Sequence, residues 1–295
     1  MPGVRAYYDM VAETFGEHYQ RQHQIAGNPP SAEQTRLHIL MQRFIALGVK
    51  SVYDVGLGEG TPLLAFARMG LSVAGCDISE HMLEQARKRL ADSHVDISRL
   101  QWGDIRDSAT IANQLALGPF DALVALGVLP HVEHDALVLR NMRLFLTQGS
   151  RVFIEFRNKL FSLFTCNRYT KEFILDELLG GVAEDVRQAV AEELDRRLAI
   201  DQPPVRCAPN GQAITDDEML WKFHNPFEVT ELLEREGFGN VRFHWYHYHP
   251  AFPMLERSLG RRFWDEAERL EREQSPSSWR GYFLCSAFVA EAEVQ

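Results

Sequence analysis

Cysteine is scarce. Cys76, Cys166, Cys207 and Cys285 lie far apart, and no pair has the short spacing that a zinc site or a redox motif requires. Four isolated thiols and no metal site are the expectation. Positive charge is also in short supply: Lys and Arg number 31 against 41 Asp and Glu, a formal net charge of −10. No long basic run offers a track for phosphates, so nucleic acid is not an expected partner. Long apolar runs are missing as well. The apolar stretch around Leu115 to Val132 is interrupted by Asp121, and none reaches the roughly 18 uncharged residues of a membrane span. Residues Met1 to Gln20 lack the apolar core of a secretory signal. Together these absences lead us to expect a cytoplasmic protein with no membrane partner. There is no internal repeat and no low-complexity tract.

What remains is ordinary globular composition, with 45% apolar and 24% charged residues over 295 positions. That length suits one large domain carrying a sizeable insertion. As far as about Arg157 the chain alternates short β-branched runs with helical patterns, the βαβ rhythm of a parallel sheet covered on both faces. The predicted strands are Ser51 to Val55, Ser72 to Asp77, Arg99 to Trp102, Asp121 to Leu126 and Arg151 to Phe156. Helical periodicity covers Thr61 to Met69, Glu80 to Leu90 with Ser79 as its cap, and Asp135 to Leu146. After Arg157 the rhythm breaks into aromatic and helical segments, Tyr169 to Leu179 and Ala183 to Leu198. It resumes with a helix from Pro226 to Glu236, capped by Asn225 and stopped by Gly237. Two final strands, Asn240 to His249 and Tyr282 to Ala290, flank a helix near Arg262 to Arg272. The expected fold is α/β, a doubly wound, mostly parallel seven-stranded sheet. Residues 1–45 form a helical cap, 46–157 a cofactor-binding core, 158–224 a helical lid inserted after the fifth strand, and 225–295 the completion of the sheet.

The first strand ends in Asp54-Val55-Gly56-Leu57-Gly58-Glu59-Gly60, directly before a helix. Glycines at alternate positions let the backbone turn sharply and approach a ligand closely, which a Cβ would prevent. Past Gly56 the second strand ends in Asp77, where a carboxylate can accept two hydrogen bonds from vicinal ribose hydroxyls. Asp104 follows the third strand, where its carboxylate or a neighbouring amide can meet an adenine amino group.

In order and spacing the segment Ser51 to Arg157 resembles the class I S-adenosylmethionine-dependent methyltransferases. The resemblance implies S-adenosylmethionine as cofactor. Asp54, Gly56, Gly58 and Gly60 would cradle its amino-acid part, Asp77 with Ile78 its ribose, and Asp104 with Ile105 its adenine. Met82, Leu126, Gly127 and Tyr19 of the leader helix complete the implied set, and Tyr7, Tyr8 and Phe15 of that helix could close over it. Leu57 stands where many members have a small residue or Cys, and Pro62 follows the loop closely but is tolerated in a first helical turn. A nicotinamide-dependent dehydrogenase needs Gly-x-Gly-x-x-Gly, whereas here the third glycine, Gly60, arrives one residue early. Asn28-Pro29-Pro30 lacks the aromatic fourth residue of amino-methylating enzymes that act on nucleic acids, because Ser31 follows, so it reads as a loop before a helix.

In open α/β sheets ligands bind at the carboxyl ends of the parallel strands. That edge selects His131, His224, His247 and His249 as candidate bases, since methyl transfer to a hydroxyl or ammonium must release a proton. Arg157, Tyr169, Trp221, Tyr248 and Arg280 are the candidate acceptor-binding residues. The expected activity is direct methyl transfer to a small molecule, a sugar or secondary metabolite, with O-methylation preferred. Methylation of a protein or RNA and a non-catalytic cofactor-binding scaffold are the alternatives. The sequence leaves the acceptor, the general base and the oligomeric state open.

Overall fold

Strand β1, Ser51–Val55, is buried along all but its first residue, as a run covered by helices on both faces must be. The computed structural model describes residues 4–9, 11–12, 32–91, 93, 95–198, 206–207, 213–214, 222–274 and 278–295. Around β1 it builds a seven-stranded sheet from β2 (Ser72–Asp77), β3 (Leu100–Trp102), β4 (Phe120–Ala125), β5 (Leu146–Arg157), β6 (Phe238–Tyr248) and β7 (Cys285–Val294). Their order is β3-β2-β1-β4-β5-β7-β6. The first five are parallel, and β7 runs antiparallel to both of its neighbours. A separate two-residue hairpin pairs Arg206–Cys207 with Ala213–Ile214.

Because side chains alternate along a strand, each face of the sheet has its own core. On one face Val52, Val124, Phe153 and Val289 pack against helices α1 (Ala32–Leu47), α2 (Thr61–Arg68) and α3 (Glu80–Leu90), through Leu40, Phe44, Leu63, Phe66 and Leu83. On the other, Leu123, Ile154, Phe156 and Phe288 meet Val138 and Met142 of α4 (Asp135–Arg143) and Val229 and Leu233 of α6 (Pro226–Arg235). Helix α5, Glu184–Leu198, has no buried residue, whereas α7, Arg261–Glu273, buries Phe263 and Ala267.

The caps act as the sequence suggests. Ser79 accepts from the Met82 amide, Asn225 from the Phe227 amide, and Gly237 stops α6 at a φ of 85°. Some boundaries move. The last strand starts at Cys285 rather than Tyr282, because Gly281–Leu284 forms a helical turn. Buried Asn158, just past β5, donates to the carbonyls of Tyr282 and Cys285, both at 2.8 Å, and pins that turn. The helix expected from Tyr169 runs as a short α segment, Arg168–Glu172, and then winds as a π-helix over Phe173–Leu178. Among the described residues, no helix is long and apolar enough to cross a membrane.

Candidate functional site

The glycine loop is drawn onto the end of β2. The amides of Gly56 and Leu57 both donate to the Cys76 carbonyl, at 2.8 and 3.1 Å, and Gly56, Gly58 and Gly60 all have positive φ. A Cβ on Gly58 would meet nothing within 4 Å, so the loop leaves open space there. Gly60 differs. A Cβ on it would lie 2.8 Å from Leu90 and 3.0 Å from Ala86, and it is not among the residues lining the cleft, so the third glycine serves the packing of α2 on α3.

The loop forms one wall of a cleft of ≈ 320 Å³ at the carboxyl edge of the sheet. Asp54, Gly56, Gly58, Asp77, Ile78, Met82, Asp104, Ile105, Leu126 and Gly127 all line it, as do Tyr7 and Tyr8 of the amino-terminal helical residues 4–9. Tyr19 and Trp221 lie outside the described residues. Asp77 is held by two amides, Gly58 and Ser79, each at 2.8 Å. Burial still raises its carboxyl to about 6 against those hydrogen bonds. Asp54 beneath it is pushed up to about 8 by burial and by the charge of Asp77. Asp104 departs from the expectation, because the Arg106 guanidinium grips its carboxylate at 2.6 and 2.8 Å. Burial would raise that carboxyl, but the Arg106 contacts outweigh it and hold it low, so it stands on the cleft wall as an ion-paired carboxylate.

The four histidines separate. His131, in the turn Leu129–His131 after β4, is buried on the cleft wall, with its Nε2 3.3 Å from the Tyr8 hydroxyl. His224 lies outside the cleft, its Nε2 3.2 Å from Asp135 and its ring edge-on to Phe156. His249 sits among Phe161, Phe263 and His247, where burial first and the neighbouring His247 second lower it to about 3. A ring that stays neutral in an aromatic nest is a poor base, which sets His249 apart from the site, and His224 stands apart by position, outside the cleft and against Asp135. His247, at a left-handed φ of 59°, bonds the Ser286 hydroxyl through Nδ1 at 2.7 Å, and burial lowers its pKa.

His247 lines a second chamber, also of ≈ 320 Å³, which shares Glu33, Arg36, Glu155 and Arg157 with the cleft. Arg157 therefore stands where both cavities meet. At their junction Glu155 accepts from the Arg36 guanidinium and the Tyr246 hydroxyl. Three other expected acceptor residues lie elsewhere. Tyr248 packs in the core beside Cys285, on the face opposite Tyr246, because the left-handed φ of 59° at His247 breaks the strand's alternation between them. Arg280 is exposed over the Trp279 ring. Tyr169 rests on Phe223, which lines the chamber, and Phe161 and Phe164 face His249 and Phe252. Glu33, Arg36, Glu155, Tyr246 and Ser286 were not singled out from sequence. The alternation Phe153-Glu155-Arg157, which places charge on a buried strand face, was the available signal.

A family described as methyltransferase domain matches residues 53–152, the span that carries the loop, Asp77, Asp104 and His131. The chain carries a class I S-adenosylmethionine-dependent methyltransferase domain. This methyltransferase is 28% identical over 215 residues to a ubiquinone biosynthesis O-methyltransferase of Serratia proteamaculans, covering 72% of this chain and 81% of the relative. The similarity to the enzyme of that name from Proteus mirabilis is 28% over 126 residues, 42% of this chain and about half of the relative, 49%. Among solved structures, the magnesium protoporphyrin IX methyltransferase of Synechocystis PCC 6803 with bound S-adenosylhomocysteine shares the fold, with a TM-score of 0.53, 15% identity, and coverage of 99% of this chain and 98% of that one. S-adenosylmethionine is the methyl donor. The cleft fits it on this structure's own terms. Open space lies over Gly58 and Gly127, and a carboxylate at Asp77 is oriented by two amides with lone pairs left for hydroxyl donors.

Proposed function

We propose that the enzyme O-methylates a small organic acceptor seated in the second chamber, with His131 receiving the hydroxyl proton. The observation that carries this reading is the chamber itself, which adjoins the donor cleft through shared walls. A chamber of that size suits a small molecule. The names of the Serratia and Proteus relatives support oxygen as the accepting atom.

Bound S-adenosylmethionine supplies a methyl group on an electrophilic sulfonium centre with a neutral leaving group. As the acceptor oxygen takes that methyl group, its hydroxyl proton would pass to His131 and on to solvent. Gly58 gives the donor close backbone approach, and Asp77 orients its ribose. Tyr8, against His131, helps to exclude water from the reacting groups. The chain thus aligns the partners and removes one proton, which is the work methyl transfer asks of a protein.

Transfer of a labelled methyl group to small hydroxyl compounds, and separately to protein and RNA fractions, tests the reading. Label in a small-molecule product is the expected result. Label confined to protein or RNA would overturn it.

A further inference from the structure

We propose that the acceptor is a compact, uncharged, polyhydroxylated ring, a sugar, and not a prenylated or otherwise lipid-tailed phenol. The proposal rests on the reading above and names the substrate class of that same site. It follows from what the chamber walls offer. Glu33 and Glu155 accept hydrogen bonds, Arg36 and Arg157 donate them, and His247 and Ser286 can do both. A ring hydroxyl also both donates and accepts, so neighbouring hydroxyls match walls that alternate carboxylate with guanidinium. A lipid tail matches none of them and would leave buried polar groups without water, which selects strongly against such a ligand.

Charge points the same way. The chamber holds two carboxylates and two guanidiniums, and Arg36 and Glu155 neutralise each other in a nearly buried pair. The walls therefore give no net pull on an anionic or cationic acceptor. Phe223 supplies a flat apolar face of the kind that takes the C–H side of a pyranose. His247 has the left-handed backbone that glycine usually fills, and it presents a ring that burial keeps neutral, with Nδ1 already tied to Ser286.

Saturation-transfer NMR on the full chain with saturating S-adenosylhomocysteine tests this. The probes are a set of methyl hexopyranosides, a set of nucleoside diphosphate hexoses, and a catechol bearing a prenyl chain. The expected result is contact with the methyl hexopyranosides and none with the prenylated catechol. A response from the nucleoside diphosphate hexoses alone would contradict an uncharged acceptor. With the responding sugar, Ser286→Ala, which changes a residue of the chamber and not of the donor cleft, should raise KM about threefold to tenfold, the scale for losing a neutral hydrogen bond, while donor affinity stays unchanged. Saturation of the prenylated catechol, or silence from every hexose, overturns the sugar assignment. Methyl transfer to the catechol would do so while leaving small-molecule O-methylation standing, whereas label found only in protein or RNA would remove both.

Discussion

The two halves of the sheet hold ligands by different means. From β1 to β4 the donor cleft is made of backbone: amides of Gly56 and Leu57 tied to β2, open space over Gly58, and one carboxylate fixed by amides. From β5 to β6 the proposed acceptor chamber is made of side chains from α1, β5, β6 and β7, with Arg36 paired to Glu155. A backbone site needs particular φ angles and the absence of Cβ atoms, which leaves little room for change. A side-chain site can be rewritten one residue at a time. The donor half should therefore respond to substitution through binding of S-adenosylmethionine, and the acceptor half through turnover and acceptor affinity.

The largest effect should come on the wall of the donor cleft. His131→Ala is expected to reduce kcat by about a hundredfold to ten-thousandfold, the usual contribution of a general base, while S-adenosylhomocysteine binds as before. Full turnover in this variant would move the proton transfer elsewhere. Asp77→Ala should weaken the donor by about 1.5 to 3 kcal/mol, seen by calorimetry. Because burial places the Asp77 carboxyl at about 6, donor affinity of the parent should also fall as pH drops through that value, and the alanine variant should lose that dependence.

Gly60→Ala sharpens the contrast from inside the loop. Its new Cβ meets Leu90 and Ala86 at a φ of 85°, so thermal unfolding should show a loss of about 1 to 3 kcal/mol with donor affinity nearly unchanged. A large loss of affinity instead would return Gly60 to the ligand. The smallest effect at neutral pH is expected from His249→Phe. The ring is held at about 3 in the fold, below the ordinary histidine value of 6.5. Its contribution to stability is thus present above 6.5 and lost as pH falls, because unfolding lets the ring take a proton. Acid titration should find the Phe variant unfolding at lower pH than the parent.

Legibility followed the same division. The donor half could be read because its parts are contiguous: Asp54 to Gly60 is one run, and Asp77 and Asp104 each close a strand with βαβ spacing. The acceptor half could not, since Glu33, Glu155, Tyr246 and Ser286 come together only when β7 inserts between β5 and β6. The strand-end rule pointed to the correct edge but not to the direction of each side chain. Tyr248 therefore turned out to be core, Arg280 surface, and His249 part of an aromatic nest. Asp104 stood at the expected place, but Arg106, two residues on, claims its carboxylate.

Gly58 tests the account most directly, because its neighbourhood is open in the protein alone and should be filled only by the donor. Valine cannot adopt its φ of 57° without strain and would project a branched side chain into the cleft. Calorimetric titration of S-adenosylhomocysteine into Gly58→Val, with folding checked by circular dichroism, should show binding lost. Unchanged affinity in a folded variant would contradict the placement of the donor on this loop.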